Sequence, residues 1–157
     1  MRNFVIFSFC LSTLLFMAGC ETMSPETVAA RAAMNEAITH EEPGNYFIGR
    51  RFYKVDFKMW GWVRKPGQPW SQSQLVMLNE QRKLAPDREQ GKIGSDKGYE
   101  YRLDGYFTGE QVYEPASNRF YPEFVLTGYT LRSVSPAPIF KDSQTDKPDT
   151  HLLTPPM

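Results

Sequence analysis

The chain has 157 residues, a length that suits one domain. Its 18 basic and 18 acidic side chains cancel, which leaves no cationic excess to hold a phosphate backbone and argues against a nucleic-acid partner. Only two cysteines occur, too few for a disulfide framework, so the domain must be held by packing.

Met1, Arg2 and Asn3 open an apolar stretch that closes on Leu14-Leu15-Phe16-Met17-Ala18-Gly19-Cys20. A positive start, an apolar run of about 14 residues and a small-residue exit make a secretory signal peptide. A membrane span needs roughly 20 apolar residues to cross about 30 Å of hydrocarbon. This run is shorter and is interrupted by Ser8, Cys10, Ser12 and Thr13. A plain signal peptide cut near Ala18 is the other reading, and it leaves Cys20 as an odd thiol.

The residues before Cys20 resemble the lipobox of bacterial lipoproteins, with Met17 standing where that family more often has Leu or Val. The resemblance implies removal of residues 1–19 as the signal peptide and lipidation of Cys20, with fatty acids such as palmitate, as the new N-terminus. It also implies lasting attachment to a membrane, since two acyl chains already anchor stably. Cys10 leaves with the signal. Glu21, rather than Asp, follows the cysteine, which in a Gram-negative host implies the outer membrane, facing the periplasm, rather than retention in the inner one.

Residues 20–45 read as the lipidated N-terminus and a spacer helix. Ser24 can cap, Pro25 suits the first helical position and Glu26 faces the positive end of the dipole. Val28, Ala33, Met34, Ala37 and Ile38 form a thin apolar stripe that allows partial docking. Glu42-Pro43-Gly44-Asn45 ends the helix.

Residues 46–134 read as a β domain. From Arg50 to Arg64 the period is two: Tyr53, Val55, Phe57, Met59 and Val63 lie on one side, and Lys54, Asp56, Lys58 and Arg64 on the other. That predicts one long strand with a bulge at Gly61, which could return Trp60 or Trp62 to the core. Lys65 to Pro69 forms a turn, and Ser73 to Glu80 is the returning strand or a short helix. Gln81 to Gly98 is a polar loop, either functional or hiding a short helix. Strands resume at Tyr99–Phe107 and Glu110–Glu114, turn at Pro115-Ala116-Ser117-Asn118, and return from Phe120 to Arg132. Pro122 marks an edge or bulge. Residues 135–157, rich in proline, are expected to be a disordered tail.

The fold class that follows is mainly β: a small antiparallel barrel preceded by a short helix. The long first strand, hairpin partner, interrupted middle and final hairpin resemble an OB-fold at the level of topology. An SH3-like barrel and an open sheet are the alternatives, and a barrel of this kind does not by itself specify a function.

Few groups could carry catalysis. His40 sits at a helix end and His151 in the tail, and the mature cysteine is taken by lipid, so a Ser–His or Cys–His pair has no rigid scaffold. Asp56, Asp104, Glu110 and Glu123 could flank a sugar as paired carboxylates, or alternate with lysines on a solvated face. Asp87, Glu89 and Asp96 share one loop that could meet a cation, but no ligand spacing for zinc or calcium occurs, and neither metal nor other cofactor is expected. Trp60, Trp62 and Trp70, with Tyr106, Tyr113 and Tyr121 near later turns, are the binding candidates. They serve either as core, as the centre of a protein interface, or as a platform for glycan rings. The expectation is therefore a non-catalytic, lipid-anchored envelope protein with a protein-binding or structural role; the alternative is a peptidoglycan- or glycan-binding module using the three tryptophans.

Overall fold

The computed structural model describes residues 23–57, 60–141, 147–151 and 153–157. Cys20 and the signal segment lie outside the described residues, as do Lys58 and Met59. Helix α1 (Pro25–Thr39) begins at Ser24, whose Oγ accepts from the Thr27 N–H at 3.2 Å. Its docked stripe shares Met34 and Ile38 with the apolar one read from the sequence and differs in the rest. Thr27, Arg31, Met34 and Ile38 turn inward, whereas Val28, Ala33 and Ala37 stay exposed. Long side chains at spacings of four, three and four reach the barrel and bury more area than an alanine face can.

Five strands follow: β1 (Phe47–Arg51), β2 (Trp60–Arg64), β3 (Gln74–Asn79), β4 (Glu100–Glu114) and β5 (Arg119–Ser133). They close into a barrel in the order β1-β2-β3-β5-β4, with β4 also paired to β1. Every neighbouring pair is antiparallel except β3 and β5, which run parallel from Met77↔Glu123 to Asn79↔Val125. Closure gives the short strands partners on both sides and removes their edges.

The alternation from Arg50 to Arg64 belongs to two short strands and a connector, not to one long strand. Ile48 pairs with Arg64 and Arg51 with Gly61. In the connector the expected sides are inverted at Lys54, 1 % exposed, and Val55, 51 %, whereas Asp56 is exposed and Phe57 buried as the alternation predicts. Lys54 is buried because the tail meets its ammonium: Nζ donates to the Lys147 carbonyl and the Thr150 hydroxyl. Gly61 makes no bulge. It sits where β1 crowds β2, and a Cβ there would stand 2.8 Å from the Arg50 carbonyl oxygen.

Two cores use opposite faces of the same wall. Val63, Val76, Leu78, Tyr101, Leu103, Phe124 and Leu126 fill the barrel, with Phe47, Phe107 and Phe124 meeting edge to face at 5.1–5.6 Å. The other face of β1 and β2 carries Ile48, Trp60 and Trp62 into a second cluster with Phe52, Phe57, Ile38 of α1, and Ile139 and Phe140. Period two thus puts apolar residues on both sides of β2, which is buried throughout.

The tail expected to be disordered supplies part of this second core. Ile139 and Phe140 are buried, Val55 N–H donates to the Pro148 carbonyl at 2.9 Å, and Met157 N–H donates to the Ile139 carbonyl at 3.0 Å. The apolar outer wall gives these few side chains somewhere to be buried, which a reading of the tail's own composition does not reveal.

Candidate functional site

The three tryptophans form no open platform. Trp60, Trp62 and Trp70 are 4 %, 6 % and 1 % exposed. Trp60 packs on Phe52 and Phe57, and Trp62 packs edge-on to Phe140 at 6.1 Å between centroids. Trp70 opens a short 3-10 turn, Trp70–Gln72, where the Arg50 and Arg64 guanidinium carbons lie 4.9 and 4.8 Å from its ring centroid. Both cations are paired in turn. Arg50 bonds Glu100 at 2.7 Å, and Arg64 grips both oxygens of Glu41 at 2.6 and 2.8 Å. Arg132 joins the two carboxylates, at 2.8 Å from Glu41 and 3.6 Å from Glu100. Burial alone pushes the Glu41 carboxyl up, but hydrogen bonds from Arg64, Arg132 and the Gly67 N–H outweigh it and hold it near 2. These residues lock the segment after α1 to β1, β2, β4 and β5.

Two of the acidic loop residues, Asp87 and Asp96, meet the Arg51 guanidinium, and Glu89 pairs with Lys83 at 2.7 Å. Arg51 Nη2 bonds Asp87 Oδ1 at 3.0 Å and its Nε lies 3.6 Å from Asp96. Asp87 also accepts from the Arg88 and Gly94 N–H groups. Glu80 accepts from the Ala85 N–H and pairs with Arg88 at 3.0 Å. Burial raises the Glu80 and Asp96 carboxyls. The loop is therefore pinned by its own charges, and it contains only a short helix, α2 (Pro86–Glu89).

The remaining chemistry-bearing groups are dispersed. His40 ends α1 and is exposed. His151 Nε2 lies 3.3 Å from Asp56 on the surface, and Glu123 accepts from Asn79 at 2.8 Å. Asp104 and Glu110 are exposed on β4. Among the described residues, no group of three His, Cys, Asp or Glu side chains is placed to hold a metal ion.

What does stand open is the far half of the β4–β5 hairpin. After Phe107↔Phe124 the register shifts: Thr108, Gly109 and Glu110 face the single residue Glu123, and pairing resumes at Gln111↔Pro122. Gly109 has φ 86°, which suits glycine. Among the described residues no third strand pairs with 104–114 of β4 or with 119–122 of β5. The arm ends in a wired turn. Glu114 is buried and accepts from the Ala116 N–H at 3.0 Å and the Ser117 N–H at 2.7 Å, while Asn118 takes the left-handed φ of 52°.

On one face Tyr113 and Phe120 are directly paired, with ring centroids 5.3 Å apart and exposures of 48 % and 62 %. The Tyr113 hydroxyl donates to Asn118 at 2.9 Å. Tyr121, on the other face, is half-buried and donates to Ser117; Tyr106 is exposed nearer the barrel. Between the arm and the end of β3 lies an open groove of about 470 Å³, lined by Met77, Asn79, Glu80, Leu84, Val112 and Glu123 among others. Phe120 was the functional candidate that sequence reading missed. Its place in an alternating strand looks the same whether or not a barrel lies behind it.

Comparison with protein-family models finds none that matches this chain, and comparisons with curated proteins and with solved structures find no significant match.

Proposed function

We propose that this chain is a lipid-anchored protein of a bacterial cell envelope, held through Cys20, whose barrel binds a protein partner or supports envelope structure rather than turning over a substrate. The barrel's strand order, with β3 parallel to β5 and β4 returning to β1, supports an OB-fold-like reading. The observation that carries the binding role is the arm: a preformed hairpin with unpaired edges beside an open groove. Such an edge can accept an added strand while the groove selects side chains. The buried charges, by contrast, are occupied with one another.

Two measurements test this reading. Intact mass of the protein purified from its host should show loss of residues 1–19 and an added acylated glyceride. A photo-crosslinking residue at Val112, in the groove, should give one discrete envelope-protein adduct in living cells that is absent when the same residue replaces exposed Thr130. Equal, diffuse adducts at both positions would overturn the docking site.

A further inference from the structure

The tail links the start of the described chain to the turn of the arm. Arg31 Nη1 lies 3.1 Å from the Met23 sulfur and 4.0 Å from the Met157 sulfur. Just upstream in the tail, Leu153, Thr154 and Pro155 share an open groove with Ala116, Ser117 and Arg119 of the arm's turn. Thr154 and Met157 are three residues apart, at most about 10 Å along the chain. Cys20 is likewise three residues from Met23 and can stand no more than about 10 Å from it. The segment that leads to Cys20 is thus joined to the turn of the β4–β5 arm through the tail.

The chemistry of the arm's end suits a bilayer surface. Between Gln111 and Pro122 the charged side chains are Glu114, which is folded inward to cap the turn, and Arg119, which is exposed. The remaining side chains are Phe120 and Tyr113, exposed on one face, half-buried Val112 and Tyr121 on the other, two prolines and small or amide side chains. An aromatic pair with a polar hydroxyl at one edge matches the composition of the membrane–water boundary. No exposed carboxylate in this stretch would repel anionic headgroups.

We propose that Phe120 and Tyr113 enter the headgroup–acyl boundary of the membrane that Cys20 is tethered to, so that the arm is a second membrane contact. This rests on the lipid-anchor reading. The partner surface is a bilayer containing anionic phospholipid, and the arm's opposite face stays turned toward β3.

The test uses the full acylated protein, purified from host membranes and reconstituted into vesicles of three parts phosphatidylcholine to one part phosphatidylglycerol. Phe120→Trp adds an exposed reporter to three buried tryptophans, and Tyr113→Trp serves as a second reporter should the first unfold. The expected result is an added emission component that shifts to the blue on vesicles and is quenched at least twofold by acyl chains brominated near the headgroup. Wild-type emission should change little under the same conditions. If the acylated protein floats with the vesicles and the reporter is neither shifted nor quenched, the arm's contact is overturned and the anchor stands. If intact mass shows no lipid and the protein does not float, the anchor reading falls and takes this proposal with it. A reporter protected only when an envelope protein is added back also overturns the membrane contact.

Discussion

β4 and β5 each pass through two environments, and the contrast between their halves separates what holds the molecule together from what it offers outward. In the barrel half, Tyr101 and Leu103 of β4 alternate inward, and Phe124, Val125 and Leu126 of β5 are all buried. Beyond the shift at Thr108–Glu110, residues 108–111 are all exposed. Pairing there is sustained by the Glu114 turn and by hydroxyl bonds from Tyr113 and Tyr121. Burial stabilises one half, and local turn chemistry the other. The exposed side chains of the arm owe little to the core, so their identity is free to serve a surface.

Substitutions can break that contrast in order of size. Phe124→Ala empties a fully buried site and should cost about 3–5 kcal/mol, read as a large fall in the urea midpoint.

Glu41→Gln leaves buried Arg64 without its counter-charge and should cost roughly 2–4 kcal/mol near neutral pH. Acid adds a signature. The Glu41 carboxyl is depressed from 4.5 to about 2 in the fold. Its contribution, on the order of 2 kcal/mol after allowance for solvent screening, is complete above the unfolded value and is lost as pH falls through the folded one. The wild type should therefore weaken between pH 4.5 and about 2, and the variant should weaken less over that range. Glu80 and Asp96, raised by burial, act with opposite sign: their contribution is fullest at low pH and fades as pH rises through their folded values.

Glu114→Ala should cost about 1–2 kcal/mol by orphaning turn N–H groups. Hydrogen exchange should quicken at Ala116 and Ser117 while the barrel amides keep their protection. Phe120→Ser should change stability by no more than about 0.5 kcal/mol; a loss several times larger would show the arm to be part of the core.

Much of the second half of the barrel is legible in the chain. The run from Tyr99 to Arg132 alternates, carries its turn at Pro115–Asn118 and places Pro122 where pairing slips. These signals are local: turn residues act within four positions, and a strand facing one core shows period two. The first half is harder because β2 is buried on both faces and its charges are answered from far along the chain. Arg64 looks like a solvated residue until Glu41 is brought beside it, and Lys54 until the tail carbonyl of Lys147 arrives. The same long-range covering, by α1 and by Ile139 and Phe140, buries tryptophans that composition alone makes equally suitable for a surface. The arm shows the converse limit, since alternation there reports pairing and says nothing about whether a core lies behind it.

Glu41 has a mechanical consequence. It follows α1 directly and is fastened at once to Arg64 of β2, Arg132 of β5 and the backbone of Gly67. A pull arriving through the helix is thus shared among separate strands in parallel, and it does not peel a single edge. A domain clamped in this way resists unravelling from its helical end.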